Sequence, residues 1–161
     1  MKKIVSLVLT LALTLALTLA LTACGGGESG QAAYSPDQVQ AMADAGAFSE
    51  TLEELDGDTA FALYKLADYG LSREDLTGCA VLRSSGATCE EGAVLVFAGE
   101  SQAEQGEQAL TDYVQGQIDA NRDYRPAELP KLEAAEVSRR GNTVLLVVAA
   151  DLEAALGALE G

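Results

Sequence analysis

A few side chains in this sequence have the type and placement to do chemistry. Cys24 stands directly after a long apolar run and directly before Gly25-Gly26-Gly27, so its thiol is a candidate for covalent modification. Glu53, Glu54, Asp56 and Asp58 fall within six residues. Paired carboxylates can hydrolyse when one has a raised pKa, and acids can hold calcium. Here Asp58 is followed by Thr59, Ala60 and Phe61, which does not complete a calcium loop. The competing reading is a turn and a helix cap on a solvated face. Cys89 could be a nucleophile, but no base lies near it in sequence, and Glu90-Glu91 would raise its pKa. Glu90, Glu91 and Asp112 read as surface acids. Tyr64, Tyr69 and Tyr124 could line a groove, or pack half-buried at helix ends and beside proline.

The absences narrow the chemistry further. The chain has no histidine, which removes the commonest general base and the commonest neutral metal ligand. Ser-His-Asp and Cys-His sites are therefore impossible. There is no phosphate-cradling Gly-rich loop with its lysine, and no Cys-x-x-Cys pair. With no tryptophan, an aromatic sugar platform would rest on tyrosines. We expect no catalytic residues, no bound metal and no cofactor other than a lipid at Cys24.

The residues before Cys24 explain why that thiol is singled out. Lys2 and Lys3 precede an apolar run from Ile4 to Leu21, interrupted only by Ser6, Thr10, Thr14 and Thr18. A charged start, an apolar stretch and small residues before a break make a secretory signal. The run is long enough that an uncleaved membrane helix is the rival reading. Leu21-Thr22-Ala23-Cys24 decides between them: it resembles the bacterial lipobox. The resemblance implies that Cys24 carries a diacylglyceryl thioether and becomes the first mature residue. Two acyl chains anchor stably where one is marginal. Residues 1–23 are then signal, residues 24–34 a Gly-rich tether, and residues 35–161 a single domain.

Removing the signal takes Lys2 and Lys3 from the ten basic residues; eight remain against 25 acidic ones, a formal charge of −17. So acidic a chain disfavours nucleic acid and anionic lipid. The acidity serves solubility, or else the binding of cations or a basic partner. Cys79 and Cys89 remain as thiols. One falls near the start of a strand and the other in the loop before its partner strand, which argues against a disulfide.

Periodicity places the elements. Ser35-Pro36-Asp37-Gln38 opens a helix with a capping box, and Gly46 ends it. Phe48, Leu52 and Leu55 fit helical spacing. Asp58 would cap a short helix from Thr59 to Ala67, and Ser72 with Asp75 would cap another turn. Residues 79–83 and 93–98 read as strands; the second, AVLVFA, is apolar throughout and therefore central. Ser101 and Glu104 open a long helix running to about Asn121. Residues 134–139 and 143–149 pair around Arg140-Gly141-Asn142, and Asp151 caps a last helix. The order from Cys79 is two strand-strand-helix units. The expected fold is α+β: a four-stranded antiparallel sheet, both long helices on one face, and short N-terminal helices before it.

Several of these segments carry a resemblance. Phe48-Ser49-Glu50, Leu52, Leu55-Asp56, Leu63-Tyr64 and Tyr69-Gly70-Leu71 come first; Ser85-Gly86-Ala87-Thr88 and Glu90-Glu91 before AVLVF follow, then the long helix, Tyr124, Pro126 and Gly141-Asn142. With the lipobox, they resemble the bacterial lipoprotein family known as domain of unknown function 4358. The resemblance implies architecture and location and supplies no catalytic residues. The expected function is a non-enzymatic module, lipid-anchored on the extracytoplasmic face of the cell membrane, that binds a protein, a peptide or a cell-wall component. The alternatives are a small-ligand receptor feeding a transporter and a carboxylate-dependent hydrolase.

Overall fold

A computed structural model describes residues 32–160 of the chain. The signal, the lipobox Leu21 to Cys24 and most of the tether lie outside the described residues. Among the described residues the first buried one is Tyr34, whose backbone N–H donates to Thr143 Oγ1 at 2.9 Å. Among the described residues no helix is long and apolar enough to cross a membrane.

Helix α1 (Asp37–Asp44) is followed by strand β1 (Glu53–Glu54) and helix α2 (Gly57–Leu63). Two 3-10 turns, Leu66–Tyr69 and Arg73–Asp75, lead into β2 (Leu76–Arg83) and β3 (Glu91–Phe97). Helix α3 (Glu100–Asn121) and a short helix α4 (Leu129–Glu133) then lead to β4 (Glu136–Arg140), β5 (Thr143–Val148) and α5 (Leu152–Gly157). The strands form one antiparallel sheet in the order β1-β2-β3-β5-β4.

The sheet thus has five strands, not four. The extra strand lies in the Phe48–Leu55 stretch that apolar spacing assigned to a helix. Glu53 and Glu54 pair with Arg83 and Leu82, and Leu55 N–H donates to Val81 O at 2.9 Å. The free edge of β2 offered backbone partners that outweighed a weak helical pattern. Asp56, not Asp58, caps α2: its carboxylate accepts from Thr59 N at 2.8 Å. Helix α3 starts two residues earlier than expected, with Gly99 rather than Ser101 as its N-cap. Asp151 caps α5 as expected, accepting from Ala154 N at 2.9 Å. The β4–β5 hairpin turns at Gly141, whose φ of 56° suits glycine.

The helices do not share one face. Strands β3 and β5 are apolar at both parities, so each face needs a cover. Ala93, Leu95, Phe97, Val144 and Leu146 pack with Ala103, Leu110 and Val114 of α3 and with Tyr64 and Leu66. Val94, Leu145 and Val147 pack on the opposite face with Val39 and Met42 of α1 and Ala155 of α5. Asp151 N–H donates to Ala47 O at 3.0 Å, which ties the start of α5 to the end of α1. The sheet is therefore the middle layer of three. Helix α3 sits close on β3 because Gly106 meets the Phe97 ring, where a Cβ would collide.

Candidate functional site

The polar centre of the fold lies where β3 begins. Successive residues of a strand point to opposite faces. Glu91 shares the parity of Ala93 and Leu95 and projects beneath α3. Glu90 projects to the other face. Neither is the surface acid the sequence suggested: Glu90 is 0% exposed and Glu91 is 2% exposed. Buried charges persist only when paired and hydrogen-bonded, and each of these has its own set of partners.

Glu91 accepts three bonds. Tyr64 Oη donates to Oε1 at 2.5 Å, Tyr113 Oη to Oε2 at 2.8 Å, and Arg83 Nε to Oε2 at 3.1 Å. Strand register supplies the arginine, because Arg83 is the cross-strand partner of Glu91. Helix α3 supplies Tyr113 from its middle. Tyr64 ends α2, and Lys65 beside it adopts φ 52° and ψ 39°, which turns the chain sharply into the 3-10 turn. The Tyr64 and Tyr113 rings meet edge to face, 5.1 Å between centroids. Burial pushes the Glu91 carboxyl above its ordinary value, against the pull of Tyr64, Tyr113 and Arg83. Burial and the Glu91 charge hold both tyrosine hydroxyls above theirs.

Glu90 is held from the opposite side. Ser49 N–H donates to Oε2 at 2.7 Å and Ser49 Oγ to Oε1 at 2.6 Å. Lys131 Nζ, from α4, donates to Glu90 Oε1 at 2.9 Å and to Glu128 Oε2 at 3.0 Å. Glu128 also accepts from Cys89 N at 2.8 Å. Burial alone would lower the Lys131 pKa, yet Glu90 and Glu128 raise it overall. Glu50 closes the network, accepting from Ser84 Oγ and Thr88 Oγ1, both at 2.7 Å.

Beside this centre runs an open groove of about 460 Å³ between α3 and the first 3-10 turn. Tyr64, Tyr69 and Tyr113 line it, with Asp68, Asp112 and Lys65. Tyr69 Oη donates to Asp112 Oδ2 at 2.8 Å, which fixes that ring on the groove wall. Tyr64 and Tyr69 thus share one groove. Tyr124 does not line it: it is 80% exposed, with the Arg125 guanidinium 5.6 Å from its ring centroid.

The carboxylates are not arranged as a hydrolytic pair. Glu90 and Glu91 are each taken up by their own donors, Glu90 by Ser49 and Lys131 and Glu91 by Tyr64, Tyr113 and Arg83. Asp56 caps a helix, and Asp58 pairs with Arg73 Nε at 2.6 Å. Among the described residues no group of three potential ligands is placed to hold a metal ion. Cys79 pairs in register with Leu95, and Cys89 is six residues upstream of that position, roughly 20 Å along the strand. Both thiols are free and half-buried, and burial raises both pKa values. The residues that sequence reasoning missed are Ser49, Arg83, Tyr113 and Lys131. One signal pointed to them: two adjacent acids lead directly into the apolar run AVLVFA, so at least one had to turn inward.

Comparison with known families gives a match. Residues 50–149 are similar to the family described as Domain of unknown function (DUF4358), a span from just before β1 to just after β5. No curated protein and no solved structure matches the chain.

Proposed function

The chain belongs to the family described as Domain of unknown function (DUF4358), and from that premise we propose a lipid-anchored module on the extracytoplasmic face of the cell membrane that binds a basic segment of a partner protein. The anchor is Cys24, read from Leu21-Thr22-Ala23-Cys24 behind an apolar run. The partner is held, not chemically altered.

The observation that carries the binding role is the tyrosine groove. Its floor is preorganised, because Tyr64 and Tyr113 are fixed by Glu91 and Tyr69 by Asp112. Rigid aromatic surface binds at low entropic cost. Asp68 and Asp112 stand over it against the single ammonium of Lys65. The whole chain carries 25 acidic residues against 10 basic ones. Charge complementarity therefore favours a cationic segment, with an apolar side chain on the rings.

Two experiments test the two halves. Cells grown with an alkyne fatty acid should label the wild-type protein and not Cys24→Ala; label that survives the substitution removes the anchor. Full-length protein in detergent should bind a lysine- and leucine-rich synthetic peptide and ignore its glutamate-rich counterpart. Asp68→Asn with Asp112→Asn should weaken that binding. Equal binding of both peptides removes the basic partner.

A further inference from the structure

A second recess, sharing no lining residue with the tyrosine groove, opens between β1 and the loop that joins β2 to β3. Its volume is about 170 Å³. Arg83, Arg125 and Glu53 line it, with Ser84 and Ser85 and the apolar side chain of Leu55.

Each arginine is held by its own partners. Arg83 gives Nε to the buried Glu91. Arg125 gives Nε to Asn121 Oδ1 at 2.9 Å and Nη1 to Gly86 O at 2.9 Å and Thr88 O at 3.3 Å. Asn121 is itself buried, and its Nδ2 donates to Gln117 O at 2.8 Å. Both guanidinium groups are thus held by bonds within the fold, and both residues line the recess. Planar forks of this kind match the two oxygens of a carboxylate.

The charges of the lining select the ligand class. Glu91 neutralises Arg83. Arg125 has only neutral acceptors and forms no ion pair among the described residues. The Glu128 carboxylate feels its charge through space without pairing with it. Glu53 is the cross-strand neighbour of Arg83, yet the two form no ion pair, because Arg83 turns to Glu91. Glu50 is taken up by Ser84 and Thr88. The lining therefore presents one free positive and one free negative group. An anion alone would meet Glu53, and a cation alone would meet Arg125. A small molecule carrying both charges satisfies both.

We propose that this recess binds a free α-amino acid, with its carboxylate on the Arg83 and Arg125 forks and its ammonium on Glu53.

The test is titration calorimetry on the full-length protein in detergent, with glycine, L-alanine, D-alanine and L-serine. At least one should bind at millimolar concentration. Alanine methyl ester lacks the carboxylate and N-acetylalanine lacks the ammonium; each should bind at least about tenfold more weakly than alanine. Arg125→Gln should weaken binding by a similar factor. Because Arg125 also ties the loop, Glu53→Gln supplies the second arm: it sits on an exposed edge strand. It should weaken alanine and leave N-acetylalanine unchanged. The proposal is overturned if none of the four amino acids binds, if N-acetylalanine or inorganic phosphate binds as well as alanine, or if Glu53→Gln changes nothing.

Discussion

Tyr64 and Glu91 are 27 residues apart in sequence, and their side chains meet in a 2.5 Å hydrogen bond beneath α3. Both residues are almost wholly buried, Tyr64 at 1% and Glu91 at 2% exposed. Tyr64→Phe removes one donor and leaves a buried carboxylate oxygen unpaired. The expected loss is about 1.5–3 kcal/mol, the range for hydrogen bonds to charged groups. It should appear as a lower urea midpoint at unchanged m-value. Tyr113→Phe should cost less, because that residue is only half-buried. Equal or higher stability of Tyr64→Phe would show that the pair contributes nothing.

The Lys131–Glu90 ion pair joins α4 to the sheet, and Glu90 is 0% exposed. Lys131→Met leaves that carboxylate without its cation. Breaking a buried pair on one side costs about 3–5 kcal/mol, and partial exposure of Lys131 argues for the lower end. The double variant Lys131→Met/Glu90→Gln should regain much of the loss. If the double variant melts at the same temperature as Lys131→Met alone, uncompensated charge is not the cause.

Gly106→Ala puts a methyl into the Phe97 ring. Overpacking of this kind costs about 1–3 kcal/mol. Phe97→Leu in the same chain should relieve the clash, so the two substitutions should couple favourably in a double-mutant cycle. Strict additivity would contradict the contact.

Stability should depend on pH through groups of opposite sign. Hydrogen bonds from Ser84 and Thr88 lower the Glu50 pKa, Thr59 lowers that of Asp56, and Ser72 lowers that of Asp75. Burial would raise Glu128, but Cys89 N–H and Lys131 bring it below the ordinary value. The stability these four contribute is full above their unfolded values and is lost as pH falls through the lower folded ones. Glu91 runs the other way: its folded value lies above 4.5, so acid relieves its buried charge. The melting temperature should therefore rise slightly from neutral toward about pH 5 and fall below about pH 4. Glu50→Gln should flatten the acid limb, and Glu91→Gln the shallow rise.

Much of the frame was legible because it is local. Asp151 and the Ser72–Asp75 box announced helix starts with their own side chains, and Gly141-Asn142 announced the hairpin. The AVLVFA run announced a central strand. What was not legible depends on partners distant in the chain. The inward turn of Glu90 needs Ser49, and Lys131 41 residues away; that of Glu91 needs Tyr113. Strand β1 has two residues and exists only because the β2 edge accepts it. The two-faced helix arrangement was implied by the apolar character of β3 and β5 at both parities, and a strand-strand-helix count obscured it.

The opposite orientation of Glu90 and Glu91 has a consequence for how the chain finds its register. If β3 slid by one residue against β2 and β5, Glu91 would leave Tyr64, Tyr113 and Arg83 for the face of Ser49 and Lys131, and Glu90 would leave that face in turn. Each acid would arrive among groups set for its neighbour, and every apolar residue of the strand would change sides as well. Adjacent charges with dissimilar partners thus act as a key that fits its lock in one position only, and the strand that carries it is a central one, paired along both of its edges.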